Sequence, residues 1–246
     1  MANIEKIRSI VEKDFVQLIK TVFGTNLGAI TLYGSYVKER FNPGVSDVNV
    51  LVTLSTVDPK AVRRLGTEGR RLIKRGRITP LVLSKDEFLT SADVFPMEYL
   101  DIVQHHRVLH GDDPTTGLKI DNTNLRHEIE HQLRGSLVSL RQLTVASARK
   151  RPFRDVLLRR RLEEWYGSLS AILRGLLRLK GVIDVPSQPR ELVGAVNGVL
   201  GLEGGPLLQL LECREGDCPD IVSLLDNLLE RLAELVTIVD KLEGKR

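Results

Sequence analysis

The chain has 246 residues, 42% of them hydrophobic and 4% aromatic, and carries a net charge of +4 from 36 basic and 32 acidic side chains. That supplies enough apolar material for one large core or two modest ones. No apolar run approaches the eighteen or so residues that a membrane-spanning helix needs, and Met1 to Phe15 lack the apolar centre of a signal peptide, so a soluble, cytoplasmic protein is expected.

The elements follow from periodicity. Ile7, Ile10, Val11, Phe15, Leu18, Ile19 and Val22 recur at helical spacing and predict a helix over Ile4 to Phe23. Gly28 to Leu32 reads as a first strand ending in Tyr33-Gly34-Ser35. A polar loop with Asn42-Pro43-Gly44 follows, then a second strand over Asp47 to Leu54. Asp58-Pro59 is a helix start, with a capping acid and a proline suited to the first position, and predicts a helix over Pro59 to Lys74. Ile78 to Leu83 is a third strand, Pro96 to His105 a brief helix, and Arg107 to His110 a last strand closed by the turn Gly111-Asp112-Asp113-Pro114.

From Asn122 onward the pattern is helical. Leu125, Ile129, Leu133, Leu137, Leu140 and Leu143 form one stripe, and further helices are expected over Val156 to Leu179, Arg190 to Leu200 and Ile221 to Leu242. Gly181, Pro186, Pro189 and the Gly201 to Pro206 and Gly216 to Pro219 segments supply the breaks. The fold class expected is α+β followed by an all-α helical bundle, with domains over 1–116 and 117–246.

Several local clusters read as structural. Lys60, Arg63, Arg64, Arg70, Arg71, Lys74, Arg75 and Arg77 face a single acid, Glu68, and a second basic cluster spans Arg149 to Arg161. Such a field can draw in a triphosphate, an anionic substrate or nucleic acid, but a solvated helix face flanked by Val62, Leu65 and Leu72 is the preferred reading, and aromatic scarcity argues against a base-stacking platform. All five histidines, His105, His106, His110, His127 and His131, lie close in sequence without zinc-site spacing. Cys213 and Cys218 are read as free thiols in preference to a small disulfide or metal pair. Trp165 and Tyr166 are expected in helix packing. No nucleophile elbow surrounds Ser35, which excludes a serine-hydrolase reading.

The chemistry concentrates at Tyr33-Gly34-Ser35 and Asp47-Val48-Asn49. Residues i and i+2 of a strand share a face, so acids at 47 and 49 would aim two carboxylates at one point, as a hard cation such as Mg2+ requires. A Gly-Ser turn lets backbone amides and a hydroxyl cradle phosphate. Together these segments resemble the signature of the nucleotidyltransferase superfamily, the polymerase beta-like fold, and the order of elements over residues 5–114 is similar to its minimal core. A nucleotidyltransferase core followed by helices is also similar to the aminoglycoside nucleotidyltransferases and to two-component bacterial nucleotidyltransferase systems. The resemblance implies that Gly34 and Ser35 bind a nucleoside triphosphate and that positions 47 and 49 are catalytic and hold Mg2+.

The sequence departs from that pattern twice. Asn49 stands where the second acid belongs, and Ile78 to Leu83, where a third acid would help activate the acceptor hydroxyl, has none; Asp86, Glu87, Glu98 and Asp101 are the nearest alternatives. The expectation is a protein that binds a nucleoside triphosphate with Mg2+ and is weak or inactive as a transferase. The alternatives are an active enzyme transferring a nucleoside monophosphate to a hydroxyl, and a non-catalytic scaffold binding a helical partner or a second copy. Arg126 to His131 also resembles, over six residues, the ribonuclease motif of HEPN-domain toxins, although a polar helix face accounts for it. Neither nucleic acid nor a membrane is an expected partner.

Overall fold

The computed structural model describes residues 2–37, 41, 46–147, 154–186, 188–203, 205–215 and 220–242, without the side chains of 2, 3, 154, 155, 157 and 163. The expected loop Asn42-Pro43-Gly44, the basic residues at 149–153, and the Gly216 to Pro219 segment lie outside the described residues. The chain divides into two compact units, Met1–Ile120 and Asp121–Arg246.

In the first unit the N-terminal periodicity does give a helical run, but in three pieces. α1 (Ala2–Ser9) and α2 (Val16–Phe23) flank a π-helical stretch, Ile10–Phe15, whose wider turn still buries Ile10, Val11 and Phe15. Four strands follow: β1 (Leu27–Tyr33), β2 (Val48–Leu54), β3 (Ile78–Ser84) and β4 (His106–His110). Their order in the sheet is β3-β2-β1-β4; β1 runs antiparallel to β2 and β4, and β2 parallel to β3. The parallel pair needs a crossover, and α3 (Pro59–Gly76) supplies it. Asp58 caps α3, its carboxylate accepting from the Lys60 amide at 3.0 Å, and Pro59 opens it. Pro80 sits in an edge strand, where a missing amide hydrogen is tolerated.

Strand alternation divides the sheet into two apolar faces. Ile30, Leu32, Val48, Val50, Val52 and Leu54 pack with the N-terminal helices and Leu65 of α3. On the other face Leu51 packs with Phe88, Ala92, Tyr99 and Ile102, which come from α4 (Lys85–Thr90), the turn after it and α5 (Pro96–Gln104). Helix α4 was not anticipated from periodicity; a capping box starts it, with the Glu87 amide donating to Ser84 Oγ at 3.1 Å and the Ser84 amide to Glu87 Oε2 at 2.7 Å. β4 ends at Gly111, where φ is +78° and an added Cβ would lie 1.9 Å from the Gly28 carbonyl oxygen, so only glycine fits.

The second unit is helical throughout its described length: α6 (Asn122–Ser147), α7 (Arg154–Leu179), α8 (Pro189–Leu200), α9 (Pro206–Glu215) and α10 (Ile221–Asp240). The α6 stripe Leu125, Ile129, Leu133, Leu137 and Leu140 is buried as its spacing predicts. Helix α9 lies between the two segments read as breaks and was not expected, because ten residues between glycine-rich flanks hold too few turns to establish a period. One expectation is corrected here. Cys213 is buried and disulfide-bonded, so the free-thiol reading fails; Cys218, the other cysteine of the sequence, lies outside the described residues. Tyr166 is buried with the Arg214 guanidinium 4.5 Å above its ring, and Trp165 beside it is half-buried.

Candidate functional site

The residues singled out in the sequence meet at one end of the sheet. Tyr33, the last residue of β1, pairs with Asn49 of β2 on one side and His106 of β4 on the other, and Asn49 pairs with Thr79 of β3. Paired residues face the same way, so Thr79, Asn49, Tyr33 and His106 form a row across all four strands. That row carries no carboxylate.

The chain turns immediately after it. Gly34 is buried with φ +78° and begins a 3-10 turn over Gly34–Tyr36, closed by the Val37 amide donating to the Gly34 carbonyl at 3.2 Å. A Cβ at position 34 would stand 2.9 Å from Asn49 Nδ2, so the Asn49 amide group lies against the bare α-carbon of the turn. The turn after β1 and position 49 of β2 therefore lie against each other. Ser35 is half-buried at the middle of the turn. Behind the turn Tyr36 donates to Glu12 at 3.3 Å, and Arg107 donates to the same carboxylate at 2.5 Å. Burial alone would raise the Glu12 carboxyl, but the hydrogen bond and charge of Arg107, with Arg8, hold it below its ordinary value.

Asp47 is placed differently from Asn49. It precedes β2 rather than belonging to it, is exposed, and its carboxylate accepts from Arg77 Nη2 at 3.5 Å. Arg77 caps the C-terminus of α3 in the left-handed conformation, φ 51°, and its carbonyl accepts from the Val48 amide at 2.8 Å. Sequence reading placed Arg77 in a basic run and missed this pairing, since nothing local links residues thirty positions apart.

The alternative acids divide. Glu87 is taken up by the capping box of α4, and Asp86 lies exposed in the first turn of the same helix. Glu98 and Asp101, on α5, act on the site row: burial pushes the Tyr33 phenol up to about 12, and the charges of Glu98 and Asp101 add to it. His106, at the end of the row, is already engaged. Its Nδ1 lies 2.9 Å from the Ile102 carbonyl and its Nε2 3.1 Å from Asp113. Asp113 in turn accepts from Thr115 Oγ1 at 2.7 Å; although burial raises its carboxyl, the hydrogen bonds from Thr115 and His106 prevail and leave it lowered. A signal for this turn existed in the Asp-x-Thr spacing of residues 113 and 115.

A cation such as Mg2+ needs several oxygen ligands aimed at one point. Among the described residues no group of three or more His, Cys, Asp or Glu side chains is arranged to hold a metal. The row offers an amide at 49 and hydroxyls at 33 and 79, and Asp47, the acid of the expected pair, is ion-paired with Arg77, so these residues do not fit the ion that the resemblance implies. In the second unit Arg126 donates to Glu130 at 2.9 Å while His127 and His131 are exposed, an arrangement that knits one helix surface.

No family model matches the sequence, and no curated protein is significantly similar to it. Among solved structures the chain is similar to a spectinomycin adenyltransferase from Enterococcus faecialis, determined with ATP and spectinomycin: 13% identity, 90% of this chain and 98% of that one covered, TM-score 0.54. The likeness is one of fold, and the α+β unit and the helical region both fall within it. No described helix is long and apolar enough to cross a membrane.

Proposed function

We propose that this chain is a nucleotidyltransferase-fold protein that binds a nucleoside triphosphate at the Gly34 turn without transferring its nucleotidyl group. The observation that carries the reading is the sheet row Thr79, Asn49 and Tyr33, which offers an amide and two hydroxyls where transfer needs converging carboxylates. Gly34, with its positive φ and buried α-carbon, lets the chain approach a phosphate closely, and Ser35 adds a hydroxyl beside it. Support for a nucleotide comes also from the structural neighbour, which was solved with ATP. Arg77 brings a positive charge to the Asp47 carboxylate, so triphosphate binding should change little when Mg2+ is withheld.

The test is calorimetric titration of the purified chain with ATP, GTP, CTP and UTP, with and without Mg2+, alongside a pyrophosphate assay. Binding of at least one triphosphate without pyrophosphate release is expected. Metal-dependent pyrophosphate release overturns the proposal in favour of an active transferase. No binding at millimolar nucleotide leaves the fold as a scaffold for a partner and also overturns it. Asn49→Asp restores the second acid and should make triphosphate binding sensitive to Mg2+; an unchanged titration removes the geometric basis of the reading.

A further inference from the structure

Helix α3 carries its cations in one place. At about 100° per residue, Lys60, Arg63, Arg64, Arg70, Arg71, Lys74 and Arg75 fall within an arc of roughly 140°, and all seven are exposed. The opposite side of the helix is turned into the core: Leu65, Gly69 and Gly76 are buried and Ala61, Leu72 and Ile73 partly so. One acid answers the stripe. Arg64 donates to Glu68 at 2.6 Å, and none of Lys60, Arg63, Arg70, Arg71, Lys74 and Arg75 makes an ion pair with a described residue. Positions 60 and 64, 70 and 74, and 71 and 75 are like-charged pairs at i,i+4, which repel one another on a helix. The dipole of the helix rewards Lys74 and Arg75 in its last turn but none of the earlier cations.

We infer that the exposed face of α3 binds the phosphate backbone of a nucleic-acid duplex without reading its bases. From position 60 to 75 the stripe runs about 22 Å at the helical rise, which matches about six steps of a duplex strand at about 3.4 Å each. Three alternatives fit less well. A protein interface has an apolar core within a polar rim, and between the cations this face offers only Gly66, Thr67 and Glu68. A bilayer needs an exposed apolar face, and that of α3 is buried. A single strand needs aromatic side chains for stacking, and α3 has none. The inference stands apart from the nucleotide proposal, because it uses no residue of the Gly34 turn or the sheet row.

The full-length chain is titrated into a short fluorescent duplex, as DNA and as RNA of one sequence, over a range of salt. Both duplexes should bind, with a slope of log K against log salt of about −3.6 to −5.4, the value for some four to six neutralised phosphates. Replacing Arg63, Arg70 and Arg71 together by Glu should weaken binding at least tenfold, and Arg160→Glu on α7 should change it less than twofold. Folding of the triple variant is read by circular dichroism, and a milder Arg70→Gln, Arg71→Gln variant should lose affinity by a smaller factor. Triphosphate binding should be the same in wild type and triple variant, which separates a failure here from a failure of the nucleotide proposal. Absence of duplex binding, equal binding by the triple variant, or tighter retention on phosphatidylserine vesicles than on duplex overturns the inference.

Discussion

Helices α6 and α3 both carry arginines on their polar sides, but α6 supplies two of its three, Arg126 and Arg134, with carboxylates, leaving Arg141 without one among the described residues. Arg126 and Arg134 reach Glu130 at 2.9 and 2.8 Å, and Arg134 also reaches Asp240 of α10 at 3.5 Å. In α3 one pair, Arg64 and Glu68, is made and the other cations stand together without acids. Composition already points the same way, with seven Lys and Arg against one acid in α3 and three Arg against two acids in α6. What separates them is where the acids fall: four residues from an arginine on either side of Glu130 in α6, and at a single position in α3. A charge matched by its own helix serves the fold, whereas an unmatched stripe leaves the fold under a small repulsive load that an external polyanion relieves.

The contrast can be broken or sharpened by substitution. The largest effect is expected beneath α6: Leu133, fully buried, should cost about 3 kcal/mol when replaced by Ala, read from the urea midpoint, and a loss below about 1 kcal/mol would show that the α6 stripe is not the anchor its burial implies. Arg126→Ala, which breaks a pair whose side chains are only 15% and 18% exposed, should cost about 1 kcal/mol; no loss would place α6 and α3 in the same class. Acid should act next and selectively. The hydrogen bond from Arg134, with the charges of Arg134 and Arg126, outweighs burial and lowers the Glu130 carboxyl from its ordinary 4.5. Its contribution is therefore complete above that value and lost as the pH falls through the lowered one. Hydrogen exchange in α6 should accelerate below about pH 4.5 without a matching change in α3. The smallest effect is expected in α3 itself, where Arg70→Gln with Arg71→Gln should raise stability by a few tenths of a kcal/mol, seen as a slightly higher melting temperature; a fall would mean that those charges support the fold.

Much of the fold was legible because the elements that place the site have strong local signals. Asp58-Pro59 marked the start of α3, the alternation of Val48 to Leu54 marked β2, and Leu125 to Leu140 marked α6. The short helices α4 and α9 were not, since neither completes enough turns to show a period. At the site, the two segments to compare, Gly34-Ser35 and Asp47-Val48-Asn49, were legible, whereas the contact of Asn49 with the bare α-carbon of Gly34 was not. Three further features were not: Asp47 standing outside the strand, its pairing with Arg77, and the reach of Glu98 and Asp101 to Tyr33. Each depends on register or on the path of a crossover, which the hydrophobic pattern of one strand does not encode.

Pro80 has a bearing on how this protein meets others of its kind. It removes one backbone donor from β3, the strand at the sheet edge. An edge so interrupted is a poor template for a further strand. Runaway addition of strands, the hazard of small open sheets, is thereby opposed at the β3 edge, and association of this unit through that edge is left to helix surfaces rather than backbone pairing.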